Sequence, residues 1–272
     1  MTQFSPHNES RRQQRVAFYR RVLSTLDTAG AAYLVGGSFA AEAYTGIPPR
    51  TKDLDLFICP NHLEQVLAAA VAAGFRCEVG FPHWLAKIHS DDGEFVDVIF
   101  SSGNGLCVVD DEWFEHSRRT AVLDREADIC PAEEMIWSKA FMMERERFDG
   151  ADIAHFLRIC ARTLDWSRLL KRFGPHWRVL MSHLLLFGFV YQHLRHEIPE
   201  WVMRELMDRL ELEQQSQSPT TFICFGTLLS REQYLCDLDQ YRLTDARLPP
   251  IGTMTPSQIN VWTAAIDGEP HC

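Results

Sequence analysis

The sequence predicts an α+β protein, with an N-terminal mixed β-sheet flanked by helices followed by an all-helical C-terminal region. Two observations predict it. Before residue 130, strand-like runs (Tyr33-Leu34-Val35, Lys52 to Ile58, Trp84 to Ser90, Glu94 to Phe100) are interleaved with helical patterns. From Pro131 onward the pattern is almost wholly helical, and proline suits a first helical turn. The domain boundary is therefore expected near Cys130, giving residues 1–130 and 131–272.

Taken in order, residues 10–28 read as a helix, because Val16, Tyr19, Leu23 and Leu26 recur at helical spacing. Its arginines (Arg11, Arg12, Arg15, Arg20, Arg21) offer either a handle for phosphate or a solvated face that balances acids elsewhere. Tyr33-Leu34-Val35 ends in Gly36-Gly37-Ser38, where a tight turn allows close approach of a backbone or phosphate. Ser38 is the expected cap of the helix beginning Phe39-Ala40-Ala41. A helix start offers unpaired N–H groups and partial positive charge, which suits a triphosphate.

Lys52-Asp53-Leu54-Asp55-Leu56-Phe57-Ile58 then reads as a strand carrying two acids. Alternation puts Asp53 and Asp55 on one face and Leu54 on the other. Two adjacent carboxylates repel, a divalent cation relieves this, and oxygen-only ligands favour Mg²⁺ or Mn²⁺. Asn61 is the expected cap of a helix from His62 to Ala73 that Gly74 ends. Trp84 to Ser90 alternates, with Lys87 and His89 opposite Trp84, Ala86 and Ile88. Asp92-Gly93 is the expected hairpin turn into Glu94–Phe100. Asp97 is the one acid inside that apolar strand and needs a partner. Asp110 to His116 reads as a short helix and Thr120 to Leu123 as a last edge strand.

The helix expected over Pro131–Phe148 puts Lys139 in the middle of an apolar face, where it must snorkel out or meet an anion. Asp149 then stands where an N-cap belongs, with Asp152 in the first turn, favourable to the helix dipole. Further helices are expected at 166–173, 177–196, 201–213 and 230–241, with a turn-rich linker from Leu248 to Gly252 before a short last one. His183, His193 and His196 have no acid or cysteine at a supporting spacing for a metal.

Gly-Gly-Ser, a short helix, then Asp-x-Asp on a strand resembles the nucleotidyltransferase superfamily, with its polymerase-β-like fold. The resemblance implies a third carboxylate on a later strand, matched by Asp97. Lys139 followed by Arg147-x-Asp149-x-x-Asp152 resembles the AbiEii-type abortive-infection nucleotidyltransferases, toxins of toxin–antitoxin systems. That likeness implies Lys139 as a phosphate ligand and Asp149 and Asp152 as site residues, with residues 131–272 completing the nucleotide site and shaping the acceptor site. On this reading Asp53, Asp55 and Asp97 are catalytic and hold Mg²⁺ or Mn²⁺. Gly36, Gly37 and Ser38 bind the β and γ phosphates of an NTP, and Arg50 or Lys52 helps to neutralise them. An NMP group passes to an acceptor hydroxyl and pyrophosphate leaves. The alternative is a non-catalytic protein using the same fold for nucleotide sensing or partner binding.

The family admits tRNA, protein or small-molecule acceptors. The net charge of −10 gives a nucleic acid no general attraction and favours a cationic small molecule, whereas the basic first helix and the Lys139 motif favour RNA, so the acceptor stays open between them. Eight cysteines, none in a C-x-x-C pair, argue for reduced thiols in a cytoplasmic protein with no disulfide partner. The N-terminus lacks a signal-peptide core, and the apolar run Leu184–Val190 is too short to span a bilayer, so no membrane partner is expected.

Overall fold

The computed structural model describes residues 6–48, 53–216 and 221–264. The chain divides into two compact units. The first is Met1–Ser101 with Val108–Cys130, and the second is Ser102–Cys107 with Pro131–Cys272.

The first unit runs α1 (Pro6–Thr28), β1 (Leu34–Val35), α2 (Gly37–Thr45), β2 (Leu54–Phe57), a 3-10 turn (Pro60–His62), α3 (Leu63–Ala72), β3 (Arg76–Phe81), β4 (Leu85–His89), β5 (Phe95–Ile99), α4 (Asp111–Glu115), β6 (Arg118–Val122) and β7 (Arg125–Ile129). Its strands form one mixed seven-stranded sheet in the order β3-β4-β5-β2-β1-β7-β6. The β2–β5 and β1–β7 pairs are parallel and the others antiparallel. Alternation sorts the central strands into two faces. Leu54, Leu56, Ala86, Ile88, Val96 and Val98 are each 0% exposed. The residues between them, among them Asp55, Lys87 and Asp97, are half-buried.

Several local expectations shift. Ser38 is not the cap of α2: the helix starts at Gly37, Gly36 takes the N-cap position, and no side chain caps it. Asn61 lies in the 3-10 turn, and His62 precedes α3. Three of the arginines of α1 have partners within the unit, while Arg11 and Arg12 are exposed. Arg15 pairs with Glu94 at 3.9 Å, Arg20 reaches Asp124 and the Leu123 carbonyl, and Arg21 lies over the Phe75 ring. That favours the charge-balancing reading of this helix. β6 is the edge strand expected, but it pairs with a strand the sequence pattern did not mark, β7.

The second unit holds α5 (Ala132–Ala140), α6 (Gly150–Cys160), α7 (Trp166–Phe173), α8 (Trp177–Val190), α9 (Glu200–Gln215), α10 (Leu235–Tyr241) and α11 (Pro256–Ala264). Two two-residue strands, β8 (Ile223–Cys224) and β9 (Thr244–Asp245), pair beside them. The helix expected over Pro131–Phe148 ends at Ala140. Met143 N–H donates to the Leu229 carbonyl at 3.0 Å, and Glu144 N–H to the Arg147 carbonyl at 2.8 Å. These bonds replace the i−4 ladder, so Met142 and Met143 lie beyond the helix. The buried acids Glu133 and Glu134 are held by Arg168, and Glu134 also by Arg172 at 3.0 Å. The segment Ser102–Cys107 belongs to this unit. Asn104 Nδ2 donates to the Leu228 carbonyl at 2.7 Å, and Thr253 Oγ1 to the Gly105 carbonyl at 2.9 Å.

His183 sits 3.0 Å from the Ala140 carbonyl, and His196 Nε2 stands 3.2 Å from Glu197 Oε1. Every cysteine among the described residues is a free thiol. Among those residues no helix is long and apolar enough to cross a membrane.

Candidate active site

The site is built on the half-buried face of the first unit's sheet. Because β2 and β5 are parallel and in register, Asp55 lies directly opposite Asp97. Residues opposite one another on adjacent strands present their side chains to the same face. Asp53 immediately precedes β2, and its charge acts on both Asp97 and Tyr19 of α1. Asp97 thus joins Asp55, more than forty residues earlier in the chain, on one face, with Asp53 at the start of the same strand.

The Gly36-Gly37 turn is fastened to the same place. Gly36 N–H donates to the Asp55 carbonyl at 2.9 Å, and the Gly36 carbonyl accepts from Ala40 as the first bond of α2. Gly37 is left-handed, with φ +54°, and a Cβ there would stand 1.6 Å from Asp55 Oδ2. The backbone therefore lies against the carboxylate at a distance only glycine permits. Ser38 falls in the first turn of α2, where N–H groups lack intrahelical acceptors and the dipole is positive.

Asp97 finds its partner in Lys87, one of the two polar-face residues of the Trp84–Ser90 run. Lys87 on β4 stands opposite Asp97 in the antiparallel register, and its Nζ donates to Asp97 Oδ1 at 2.6 Å. Burial pushes the Asp97 carboxyl above its ordinary value and the Asp53 charge adds to that, while Lys87 and His89 pull down without reversing it. The hairpin decides this pairing. Its connection is three residues, Asp91-Asp92-Gly93, with Gly93 left-handed at φ +84° and Ser90 N–H donating to the Glu94 carbonyl. A two-residue Asp92-Gly93 turn would shift the register by one and put Lys87 opposite Val98.

Asp53 and Asp55 fit the hard-cation chemistry the sequence implies, since Mg²⁺ takes one or two carboxylates and completes its shell with phosphates and water. The glycine at position 37 lets the backbone lie close against Asp55 Oδ2. Among the described residues no group of three or more His, Cys, Asp or Glu is placed to hold a metal. Arg50 and Lys52 lie outside the described residues.

The remaining named residues meet in the second unit. Lys139, in the last turn of α5, donates to Asp149 at 3.2 Å and to Asp152 at 2.7 Å. Asp149 occupies the N-cap position of α6 but makes no capping bond, because Arg147 and Lys139 take its carboxylate. Burial pushes the Asp149 carboxyl up, and Arg147 and Lys139 more than offset this, holding it below the usual carboxylate range.

No family model and no curated protein matches the chain. Solved structures give distant likenesses. One is a lincosamide antibiotic adenylyltransferase, LnuA, with lincomycin bound (18% identity, 53% of this chain and 96% of that one, TM-score 0.39). A second is the antibiotic-resistance factor ANT(2'')-Ia in solution (17% identity, 63% and 97%, TM-score 0.43). A third is JHP933 from Helicobacter pylori (11% identity, 78% and 99%, TM-score 0.38).

Proposed function

We propose that the protein is a nucleotidyltransferase that moves an NMP group from an Mg²⁺- or Mn²⁺-bound NTP to an acceptor hydroxyl and releases pyrophosphate. The observation that carries this reading is the in-register placement of Asp55 and Asp97, with the Gly36-Gly37 turn clamped over Asp55. Asp53 and Asp55 would hold the cation, which supplies charge neutralisation to the triphosphate when bound. The N–H groups opening α2 face the β and γ phosphates, with the Ser38 hydroxyl beside them. Asp97 accepts the proton of the acceptor hydroxyl as its oxygen attacks the α-phosphorus. The sequence resemblance of the Lys139–Asp149–Asp152 group to AbiEii-type proteins makes Lys139 the phosphate-binding candidate of the second unit.

The test incubates the full chain with each of the four α-labelled NTPs and with tRNA, protein and aminoglycoside acceptors. Label moves to an acceptor with the native chain and is lost in Asp53→Asn plus Asp55→Asn. Undiminished transfer by that double variant would discard the scheme. The acidic chain predicts that cationic small molecules lead among the acceptors. In one second reading, a nucleotide-sensing protein without turnover, the Lys87–Asp97 pair would hold Asp97 out of proton transfer. That reading predicts a thermal shift with an NTP and Mg²⁺, and no labelled product.

A further inference from the structure

The acid face of the sheet continues past Asp97 as a row of charges. Across β2, β5, β4 and β3 the register aligns Asp55, Asp97, Lys87 and Glu78. Lys87 is the only cation in that row, and it is fixed from two sides. Its Nζ donates to Asp97 Oδ1 at 2.6 Å and lies 3.7 Å from the centre of the Phe95 ring. The two side chains are 27% and 18% exposed, so the pair is largely shielded from water. His89, two residues along β4, has its Nε2 3.3 Å from Glu78 Oε2 without a hydrogen bond, and the hydrogen bond shown to Asp97 from β4 is that of Lys87. The pairing is thus built by strand register, not by a chance reach of a long side chain. A carboxylate that already accepts from a shielded ammonium has one oxygen committed.

Resting on the nucleotidyltransferase reading, we infer that Lys87, not the metal, is the cationic partner of Asp97. Asp97 then lies outside the metal's ligand shell, and Lys87 is a positioning residue. It ties Oδ1 and leaves Oδ2 to take the proton. In the transfer step the acceptor O–H breaks and its proton goes to Oδ2. The acceptor oxygen bonds to the α-phosphorus, and the bond to pyrophosphate breaks with its electron pair. The cation shell is left to Asp53, Asp55 and the phosphates, which is sufficient for Mg²⁺.

Binding separates the metal role from the positioning role. Complexes of Mn²⁺ with the four α,β-methylene NTPs are titrated with full-length protein, following water-proton relaxation. Asp97→Asn and Lys87→Met should bind Mn²⁺–nucleotide within about twofold of the native chain, and Asp55→Asn at least about tenfold more weakly. In the transfer assay Lys87→Met should lose about a hundredfold in kcat with the KM for NTP unchanged, and Lys87→Arg should restore much of it. Loss of Mn²⁺–nucleotide binding by Asp97→Asn equal to that of Asp55→Asn would overturn the inference and leave the nucleotidyltransferase reading standing. So would full kcat in Lys87→Met. A native chain that binds no Mn²⁺–nucleotide would overturn both.

Discussion

Gly37 combines two demands that one methyl group violates. Its φ of +54° costs an L-residue about 1–2 kcal/mol, and a Cβ would stand 1.6 Å from Asp55 Oδ2. Gly37→Ala must therefore displace either the turn or the carboxylate. The expected result is loss of Mn²⁺–nucleotide binding together with a lower Tm, read by relaxation titration and calorimetry. A second residue-scale prediction concerns Arg247, which is 0% exposed in the second unit. Asp245 takes its Nε at 3.0 Å, its terminal nitrogen at 2.7 Å and its backbone N–H at 2.9 Å. Burial pushes the Asp245 carboxyl up, but these bonds outweigh it and hold the carboxyl below its ordinary value. A depressed folded value makes the contribution to stability full above the unfolded value of 3.8 and lost as pH falls through the folded one. Asp245→Asn leaves the guanidinium buried without a countercharge, at a cost of roughly 3–5 kcal/mol near neutral pH. The variant's deficit should shrink as pH drops below that window, which urea melts across pH will show. Of the site's residues, the acids and glycines were legible because alternation and backbone freedom act locally. For Lys87 and His89 alternation gave the face they share, but which of them meets Asp97 depends on a register set by one loop residue.

The β6–β7 hairpin shows why an element escapes a reading by pattern. Its turn residues, Leu123 and Asp124, both have positive φ, 52° and 59°, as a type I′ turn requires. Leucine is a poor choice there, so no turn signal marked the strand that follows. Arg20, donating to the Leu123 carbonyl and pairing with Asp124, holds the turn from α1. Replacing Leu123 by Asn, which keeps Asp124 and its pair with Arg20, should raise stability by about 1 kcal/mol through relief of the left-handed leucine. An unchanged or lower Tm would refute the strain argument. The early end of α5 escaped for a different reason. Met135, Ile136 and Ala140 keep helical spacing, but the Leu229 carbonyl, far along the chain, takes the Met143 N–H. Such partners leave no trace in local periodicity.

For the whole molecule, the change of pattern at Pro131 marks where the sheet ends at Ile129 and the helices begin. What local patterning could not show is that residues 102–107 leave the first unit and return at Val108. A fragment beginning at Pro131 lacks Asn104 and Gly105, and so lacks their bonds to Leu228 and Thr253. It should melt below the matching transition of the full chain and exchange its amide protons faster around Leu228, as hydrogen-exchange mass spectrometry would detect. The same excursion imposes an order on synthesis. The ribosome releases Ser102–Cys107 long before it makes Leu228 and Thr253, so this short segment waits for partners that lie 124 and 148 residues further along the chain. A nascent chain halted between the two units can complete its sheet, but the helical half closes only when the late residues arrive to receive a piece made early.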